Sequence, residues 1–425
     1  MRILLLGATG FIGRHIASRL LRQGHEVVAG VRDTASARRR FPDIAVSRID
    51  LERLTAPEQW LPLLDGIDGV VNCAGILQSG RDGSADAIHA AAPKALFDAC
   101  ARRGIRKIVQ ISAVSADDAA GTEYARTKKA ADDYLRSLDL DWTVLRPSLV
   151  YAQGSFGGTS TLRGLAGLPF VMPLIGEGDQ RFQPIHADDL AETVARSLTD
   201  PNLSHVTLDP VGPETLTLKD MLVLLRAWLD LPPARFLKLP MPLVAGIAKL
   251  GDIVGRGPMR STALEQMTYG NVSDPAAFAT AIGFTPRKMS DALRDAPSHV
   301  QDRWHARLYF LKPLLTLILI LLWAGSGIAG LLNPPPGGDA ILAKLGLPPL
   351  MADVFCLWDL LIAAALTLGW RPKLMGLAQL ATVGSYTLGI GLLEPALWVD
   401  AYGPLLKNLP ILAAIAAWMA MLDEK

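Results

Sequence analysis

Hydrophobic and polar positions follow one rhythm up to about residue 312 and another beyond it. Apolar residues fill Arg2–Leu6, give way to a glycine-rich stretch at residues 7–13 (GATGFIG), recur at helical spacing over 12–21, and return as an unbroken run at Glu26–Val31. That order reads as strand, turn, helix, strand. Further apolar runs at 45–49, 69–71, Lys107–Ile111 and 142–145 are separated by stretches of helical period. Strands without polar alternation, spaced by helices, predict a parallel sheet covered on both faces. Beyond residue 312 the pattern is one of long apolar runs. Residues 313–338 and 374–393 carry no charge, 354–370 is interrupted by Asp359, and 408–422 is a shorter run that follows Lys407. About 20 apolar residues cross the roughly 30 Å of hydrocarbon in a bilayer, so four spans are expected.

Composition sharpens this division. The chain has 425 residues, half of them hydrophobic, with 42 basic and 41 acidic side chains. Only 12 charged residues fall in the 113 from Pro313 onward, against 71 in the first 312, about twice that density. A soluble single domain is excluded. With a net charge of +1, the chain lacks the basic excess needed to neutralise phosphates, which argues against a nucleic-acid partner. Cys73, Cys100 and Cys356 are too few and too scattered for a disulfide framework or a metal cluster, so no metal is expected. The apolar start ends at Gly7, too soon for a signal-peptide core, and reads as a first strand.

The glycine stretch carries the first chemistry. Gly7 and Gly10 permit a tight turn and close backbone approach to a pyrophosphate, and Gly13 lets the following helix lie close on the strand. The helix N-terminus adds free N–H groups and the positive end of its dipole. At the end of the second strand, where an acidic residue would hold a ribose 2′-hydroxyl, the chain reads Val31-Arg32-Asp33. Arg32 is suited to a 2′-phosphate, which favours NADP(H) over NAD. The alternative is Asp33 as the ribose ligand of an NAD protein.

Taken in order, GATGFIG, Asn72-Cys73-Ala74-Gly75, Ser112, Tyr124-Ala125-Arg126-Thr127-Lys128 and Arg146-Pro147-Ser148 resemble the short-chain dehydrogenase/reductase superfamily over residues 1–295. The similarity is to its atypical and extended branch, with NmrA-like proteins and the nucleotide-binding accessory subunit of respiratory complex I. Tyr124 and Lys128, four apart on one helix face, place an ammonium where it stabilises a phenolate, and such a tyrosine passes a proton while hydride moves at a nicotinamide. The resemblance implies that Lys128 also holds the nicotinamide ribose and that a hydroxyl after the fifth strand bonds the substrate oxygen. The family often has that hydroxyl one position later, where this chain has Ala113, leaving Ser112 and Ser115 as candidates. Cofactor contacts are implied at Gly7, Thr9, Gly10, Phe11, Ile12, Gly13, Arg32, Asp50, Ala74, Lys128 and Pro147. Asn72 also reads as a strand-end amide satisfying backbone groups.

Residues 150–295 supply the substrate side in extended members of this superfamily. Asp188 and Asp189, in the stretch PIHADDL, read as helix N-cap residues rather than catalysts, and His186 as structural. The apolar segment 240–254 reads as a buried helix, a lid over a greasy substrate, or a surface lying on a bilayer.

The tail, through Glu394–Trp398 and Tyr402–Pro410, resembles DoxX-like membrane domains, some of which belong to quinone-linked oxidoreductases. Asp359 inside a span is either functional or an interhelical hydrogen-bonding group, with Lys407, Gln379 and Tyr386 as partners to consider. Arg303, Arg307 and Lys312 before the first run, and Arg371 and Lys373 between the second and third, put both termini on the cytoplasmic side of the inner membrane, with tryptophans 323, 358, 370, 398 and 418 as interfacial anchors. The expected architecture is an α/β, Rossmann-like doubly wound sheet with a small substrate-side subdomain over 1–295, a basic juxtamembrane linker over 296–312, and a four-helix transmembrane domain over 313–425. The expected activity is that of a membrane-anchored NAD(P)(H)-dependent oxidoreductase, epimerase or dehydratase acting on a lipophilic, quinone- or lipid-related substrate. The alternatives are a non-catalytic NADPH-binding accessory or assembly protein of a respiratory or quinone-related complex, and an NmrA-like redox sensor.

Overall fold

The computed structural model describes residues 1–80, 83–254, 260–333 and 338–422, which pack as two compact units, Met1–Ala306 and Arg307–Lys425. In the first, seven strands form one parallel sheet: β1 (Arg2–Leu6), β2 (Glu26–Val31), β3 (Ala45–Arg48), β4 (Gly69–Asn72), β5 (Lys107–Ile111), β6 (Asp141–Leu145) and β7 (Val206–Leu208). Their order is β7-β6-β5-β4-β1-β2-β3, with Leu4 beside Val28 on one side and Val70 on the other. The direction of winding reverses between β1 and β4, and the carboxyl ends of those strands open a crevice there.

The unbroken apolar runs have a direct cause. Along β1, Ile3 and Leu5 point into one core with Ile16 and Leu20 of α1 (Phe11–Arg22), while Leu4 and Leu6 point into a second core with Leu96 and Phe97. A strand covered on both faces has no solvent side on which to place polar residues. After α2 (Thr34–Arg40), the helices α3 (Ala92–Arg103) and α4 (Glu123–Arg136) cover the second face, and α5 (Ala187–Thr199) joins α1 on the first.

Three two-stranded pairings make up a smaller lobe: Val150–Tyr151 with Ile185–His186, Arg181–Phe182 with Leu216–Thr217, and Val171–Ile175 with Arg235–Leu239. They enclose a third core around Leu162, Met172, Leu222 and Leu225. The cap of α5 differs from expectation. His186 is the N-cap residue and its ring accepts from the Asp188 N–H, which leaves both carboxylates in the first turn: Asp188 pairs with His15 at 2.6 Å and Asp189 with Arg287 at 2.7 Å. The 240–254 segment forms α6 (Met241–Val254), and it is not a buried helix, because Leu243, Ile247 and Leu250 are exposed.

A single helix, α7 (Val300–Leu332), runs through position 313. The second unit continues with α8 (Met351–Leu368), α9 (Pro372–Leu393) and α10 (Asn408–Ala420). The four expected tail helices are therefore present. Three are long and apolar enough to cross a membrane, whereas the 13 residues of α10 reach only about 20 Å at 1.5 Å per residue. Trp323 and Trp418 are buried in the bundle rather than lying at its ends, donating to Gln379 Oε1 at 2.9 Å and Thr316 Oγ1 at 2.8 Å. Asp359 accepts from Ser326 at 2.8 Å and not from Lys407, Gln379 or Tyr386. Its partner is thus on α7, and its role includes the interhelical hydrogen bond.

Gly13 is one of the tightest points of the first unit, since a Cβ there would run into the Gly7 carbonyl oxygen. Gly13→Ala is expected to lower stability by about 1–3 kcal/mol in thermal unfolding of the detergent-solubilised chain. Gly246→Ala, at a helical position with open space, is the control and should unfold at or above the wild-type temperature. Equal unfolding temperatures for Gly13→Ala and wild type would contradict the packing argument.

Candidate active site

Helix α4 begins where Thr122 accepts a hydrogen bond from the Ala125 N–H at 3.1 Å and another from Gln266 at 2.7 Å. With that start fixed, Tyr124, Lys128 and Asp132 fall at successive four-residue steps on one face. Lys128 is 5% exposed, and its ammonium donates to the carbonyl of Ile111, the last residue of β5, at 3.0 Å. The Nζ lies 5.6 Å from the centroid of the Tyr124 ring. Burial lowers the lysine pKa, opposed by the charge of Asp132. Burial and the same carboxylate raise that of Tyr124, so the phenol keeps its proton at neutral pH.

Two groups absent from the sequence reading complete this cluster. Asp132 is 1% exposed. One carboxyl oxygen accepts from the Ser112 hydroxyl, the other is buried without a hydrogen-bond partner, and burial pushes its pKa up to about 6. It was legible as the third member of the stripe that begins Tyr124, Lys128. His89 lies within one π-helical turn, Ala87–Ala91, ahead of α3, a feature that recurs at functional sites. Its Nε2 accepts from the Ile76 N–H at 3.0 Å. The proton is therefore on Nδ1, which donates to Thr127 Oγ1 at 3.0 Å, while that hydroxyl donates to the Glu123 carbonyl at 2.8 Å. Burial holds the imidazole pKa at about 2, so the ring stays neutral. It meets Tyr124 edge-to-face with centroids 5.4 Å apart. Nothing in the spacing of the sequence marks a single histidine in an alanine-rich helix.

The three catalytic candidates are thus neighbours, with Ser112 turned to Asp132. Ser115 is buried as well. Asn72 bridges Gln110 at 2.8 Å and the Ala74 N–H at 3.2 Å, the strand-end role. The Cys73 thiol is pushed up to about 12 by burial and keeps its proton at neutral pH. A Cβ at Gly75 would lie 3.3 Å from His89 Nε2 and 3.6 Å from Lys128 Nζ, so this loop borders the cluster.

The cofactor candidates lie along the carboxyl ends of the strands. Gly7 has φ +74° and donates to the Gly30 carbonyl at 3.2 Å, and the Gly10 N–H donates to the Gly7 carbonyl at 2.9 Å. Thr9 is held through its carbonyl by Arg40 at 3.2 Å, Phe11 stacks on Phe156 at 6.4 Å, and Ile12 packs on the core. Arg32 is exposed at the end of β2. Asp33 accepts from the Ser36 N–H at 2.9 Å and caps α2, which engages the carboxylate that would otherwise hold a ribose. Asp50, beyond β3, has a buried carboxyl oxygen without a hydrogen-bond partner. Pro147 is buried after β6, its carbonyl accepting from the Val114 N–H at 3.3 Å. A glycine cradle on an uncapped helix start, with an orphaned acceptor two strands away, fits a dinucleotide.

Comparison with known proteins supports a nucleotide-binding fold for the first unit. Residues 7–201 match the NAD(P)H-binding family model, and residues 320–416 match the DoxX-like family model. The chain is 25% identical over 218 residues to the mitochondrial NADH-ubiquinone oxidoreductase 40 kDa subunit of Neurospora crassa, covering 50% of this chain and 56% of that one. It is 26% identical over 253 residues to the ceramide reductase of Caulobacter vibrioides, covering 59% and 77%. The chain spans about three-fifths of the length of the complex I subunits it matches. Among solved structures it is similar to the UDP-glucuronic acid 4-epimerase of Bacillus cereus in complex with UDP-glucuronic acid and NAD, with 19% identity, a TM-score of 0.52, and 69% of this chain and 97% of that one covered. That likeness is one of fold.

The elevated Asp132 pKa has a sign that can be tested. A carboxyl that binds its proton more tightly folded than unfolded stabilises the fold below the ordinary value of 3.8, and that contribution is lost as pH rises through about 6. Asp132→Asn should therefore gain stability relative to wild type as pH rises across this window, by up to ~2–3 kcal/mol. Parallel pH profiles of denaturant unfolding for the two chains would refute the assignment.

Proposed function

We propose that this chain, an NAD(P)-binding Rossmann domain joined to a C-terminal DoxX-like domain, is a membrane-anchored, NADP(H)-preferring oxidoreductase that reduces a carbonyl of a lipophilic substrate. The observation that carries the reading is the pair of half-buried Tyr124 and buried Lys128 at the carboxyl end of β5, beside the dinucleotide crevice. A reduced nicotinamide, when bound, supplies hydride to the carbonyl carbon. Tyr124 holds the matching proton on Oη and delivers it to the carbonyl oxygen as that oxygen becomes an alkoxide. Lys128 opposes the charge left on the phenolate. Asp132 moderates the field of the ammonium and returns part of what burial takes from its pKa. The apolar helices keep the site near substrates that partition into lipid, and the basic residues flanking them favour a cytoplasmic placement of the nucleotide-binding unit in the inner membrane. The ceramide reductase relative supports a lipid-like substrate.

A second reading is favoured by a specific observation. Ser112, the candidate ligand for the substrate oxygen, donates to Asp132, and several relatives are complex I subunits. In that reading NADPH is a structural ligand in a respiratory or quinone-related assembly.

The two are separated with the full chain in nanodiscs, following NADPH oxidation against long-chain ketones and quinones. Tyr124→Phe is expected to lower kcat by ~100-fold or more while NADPH affinity stays at the wild-type value. Unchanged turnover would remove Tyr124 as the acid, and a wild-type chain that copurifies with partner subunits and never oxidises its cofactor would establish the accessory role. On the cofactor itself, Arg32→Ala should weaken NADPH binding by about tenfold or more relative to NADH, the worth of one charge-assisted hydrogen bond. An unchanged NADPH/NADH preference would return the 2′-position to the Asp33 alternative.

A further inference from the structure

Helix α6 leaves an apolar face exposed. It packs onto the first unit through Val244 and Ala248. At four- and three-residue steps on its other side, Leu243 (52% exposed), Ile247 (38%) and Leu250 (63%) stand in solvent. Large side chains left out at helical spacing mark a contact surface rather than scattered surface apolarity. The strand that leads into α6, Arg235–Leu239, also exposes Leu237. The charges on these exposed stretches are basic: Arg235, Lys238 (paired with Glu177) and Lys249. Asp252, the acidic residue within α6, is engaged by Gln78 at 3.0 Å, by Ser261, and by Arg260 at 3.5 Å.

We propose that this face of α6 lies on the surface of the membrane that holds the chain, with Leu243, Ile247 and Leu250 in the acyl boundary and Arg235 and Lys249 at the headgroups of anionic lipids. Two observations select lipid as the occupant. Among its described residues the same chain carries three helices long and apolar enough to cross a bilayer, a tether that would keep the first unit at a lipid surface. An apolar stripe edged by cations also complements an anionic leaflet.

The position of α6 gives the contact a purpose. Gln78, which holds Asp252, is three residues beyond Gly75, the backbone that borders Lys128 and His89. The end of the lipid-facing helix is thus fastened to the loop beside the candidate active site. A substrate leaving the leaflet along α6 reaches that site without crossing water, which makes the substrate class a membrane-resident lipid with its carbonyl near the headgroup level. This rests on the oxidoreductase reading for its substrate and on the tether for its contact.

The contact is tested by replacing Ile247 with the photoreactive residue benzoylphenylalanine in the full chain, reconstituted in nanodiscs of mixed phosphatidylcholine and phosphatidylglycerol. Illumination followed by mass spectrometry is expected to find phospholipid adducts at position 247, and none when the probe replaces exposed Glu58. The same probe at Leu250 repeats the test if the first variant folds poorly. Cross-links to a second copy or to the chain's own 307–425 segment, or absence of lipid adducts at both positions, would overturn the proposal. Turnover is read separately. A triple variant Leu243→Ser, Ile247→Ser, Leu250→Ser should raise KM for a lipid substrate embedded in the nanodisc several-fold and leave NADPH affinity and turnover of a short-chain soluble ketone unchanged. Lipid adducts in a chain without turnover would leave the docking intact and refute the enzymatic reading; turnover without adducts would do the reverse.

Discussion

A lysine ammonium removed from water loses several kcal/mol of solvation unless fixed oxygens replace the solvent, and Lys128 places that demand at the centre of the first unit. The carbonyl at the end of β5 accepts a hydrogen bond from it, and the negative charge of Asp132, one helical turn on, opposes the cost of burial. Each answer brings another element into register. Helix α4 must lie so that three side chains at four-residue steps face the end of β5, and its start is fixed by the Thr122 cap and by Gln266. The loop after β4 must pass close by, which only Gly75 allows without displacing the His89 ring. His89, held neutral by burial and fixed in one tautomer by donor and acceptor on its two nitrogens, then sets the edge against which Tyr124 packs.

The fold was legible in the sequence because its signal is redundant. Six of the seven parallel strands carry apolar runs that the sequence shows, the short edge strand β7 being the one it does not, and the glycine stretch between β1 and α1 is dictated locally by a positive φ at Gly7 and by the contact of Gly13 with the Gly7 carbonyl. The site was legible only in part. Tyr124 and Lys128 share a helix, so spacing alone relates them; His89 reaches Tyr124 from another helix, and no short-range pattern records that. Ser112 shows a different limit. Its place at the end of β5 could be read, but the direction of its hydroxyl depends on a carboxyl 20 residues away. The reversed capping at α5 has a similar origin: Asp188 and Asp189 are drawn to His15 and Arg287 by tertiary pairing, leaving His186 to satisfy the first backbone donors.

The second unit follows other rules because its exterior is apolar. Burial cannot sort its residues, since lipid tails are as apolar as leucine, and association depends on close packing and hydrogen bonds. Trp323 and Trp418 accordingly turn their indole N–H groups to Gln379 and Thr316 in the bundle. Ser326 on α7 reaches Asp359 on α8, and Gly327 and Gly330 admit Cys356 of α8 at distances a Cβ would not allow. The polar residues of the tail therefore hold its helices together, and the count of tryptophans alone does not distinguish an interfacial anchor from a bundle hydrogen bond.

Joining these units changes what the first one needs. A soluble enzyme for a hydrophobic substrate must bind it from a dilute aqueous pool, and most of the binding free energy goes to extracting apolar surface from water. A site fixed at a bilayer meets substrate that lipid already concentrates, as a second binding event becomes intramolecular once the first tethers it. Such an enzyme gains little from a deep apolar cavity of its own and much from an apolar path to the surface. In the first unit a charged and hydrogen-bonded cluster is packed around Lys128, and Leu243, Ile247 and Leu250 stand exposed on α6, the helix whose Asp252 is fastened to the loop beside that cluster.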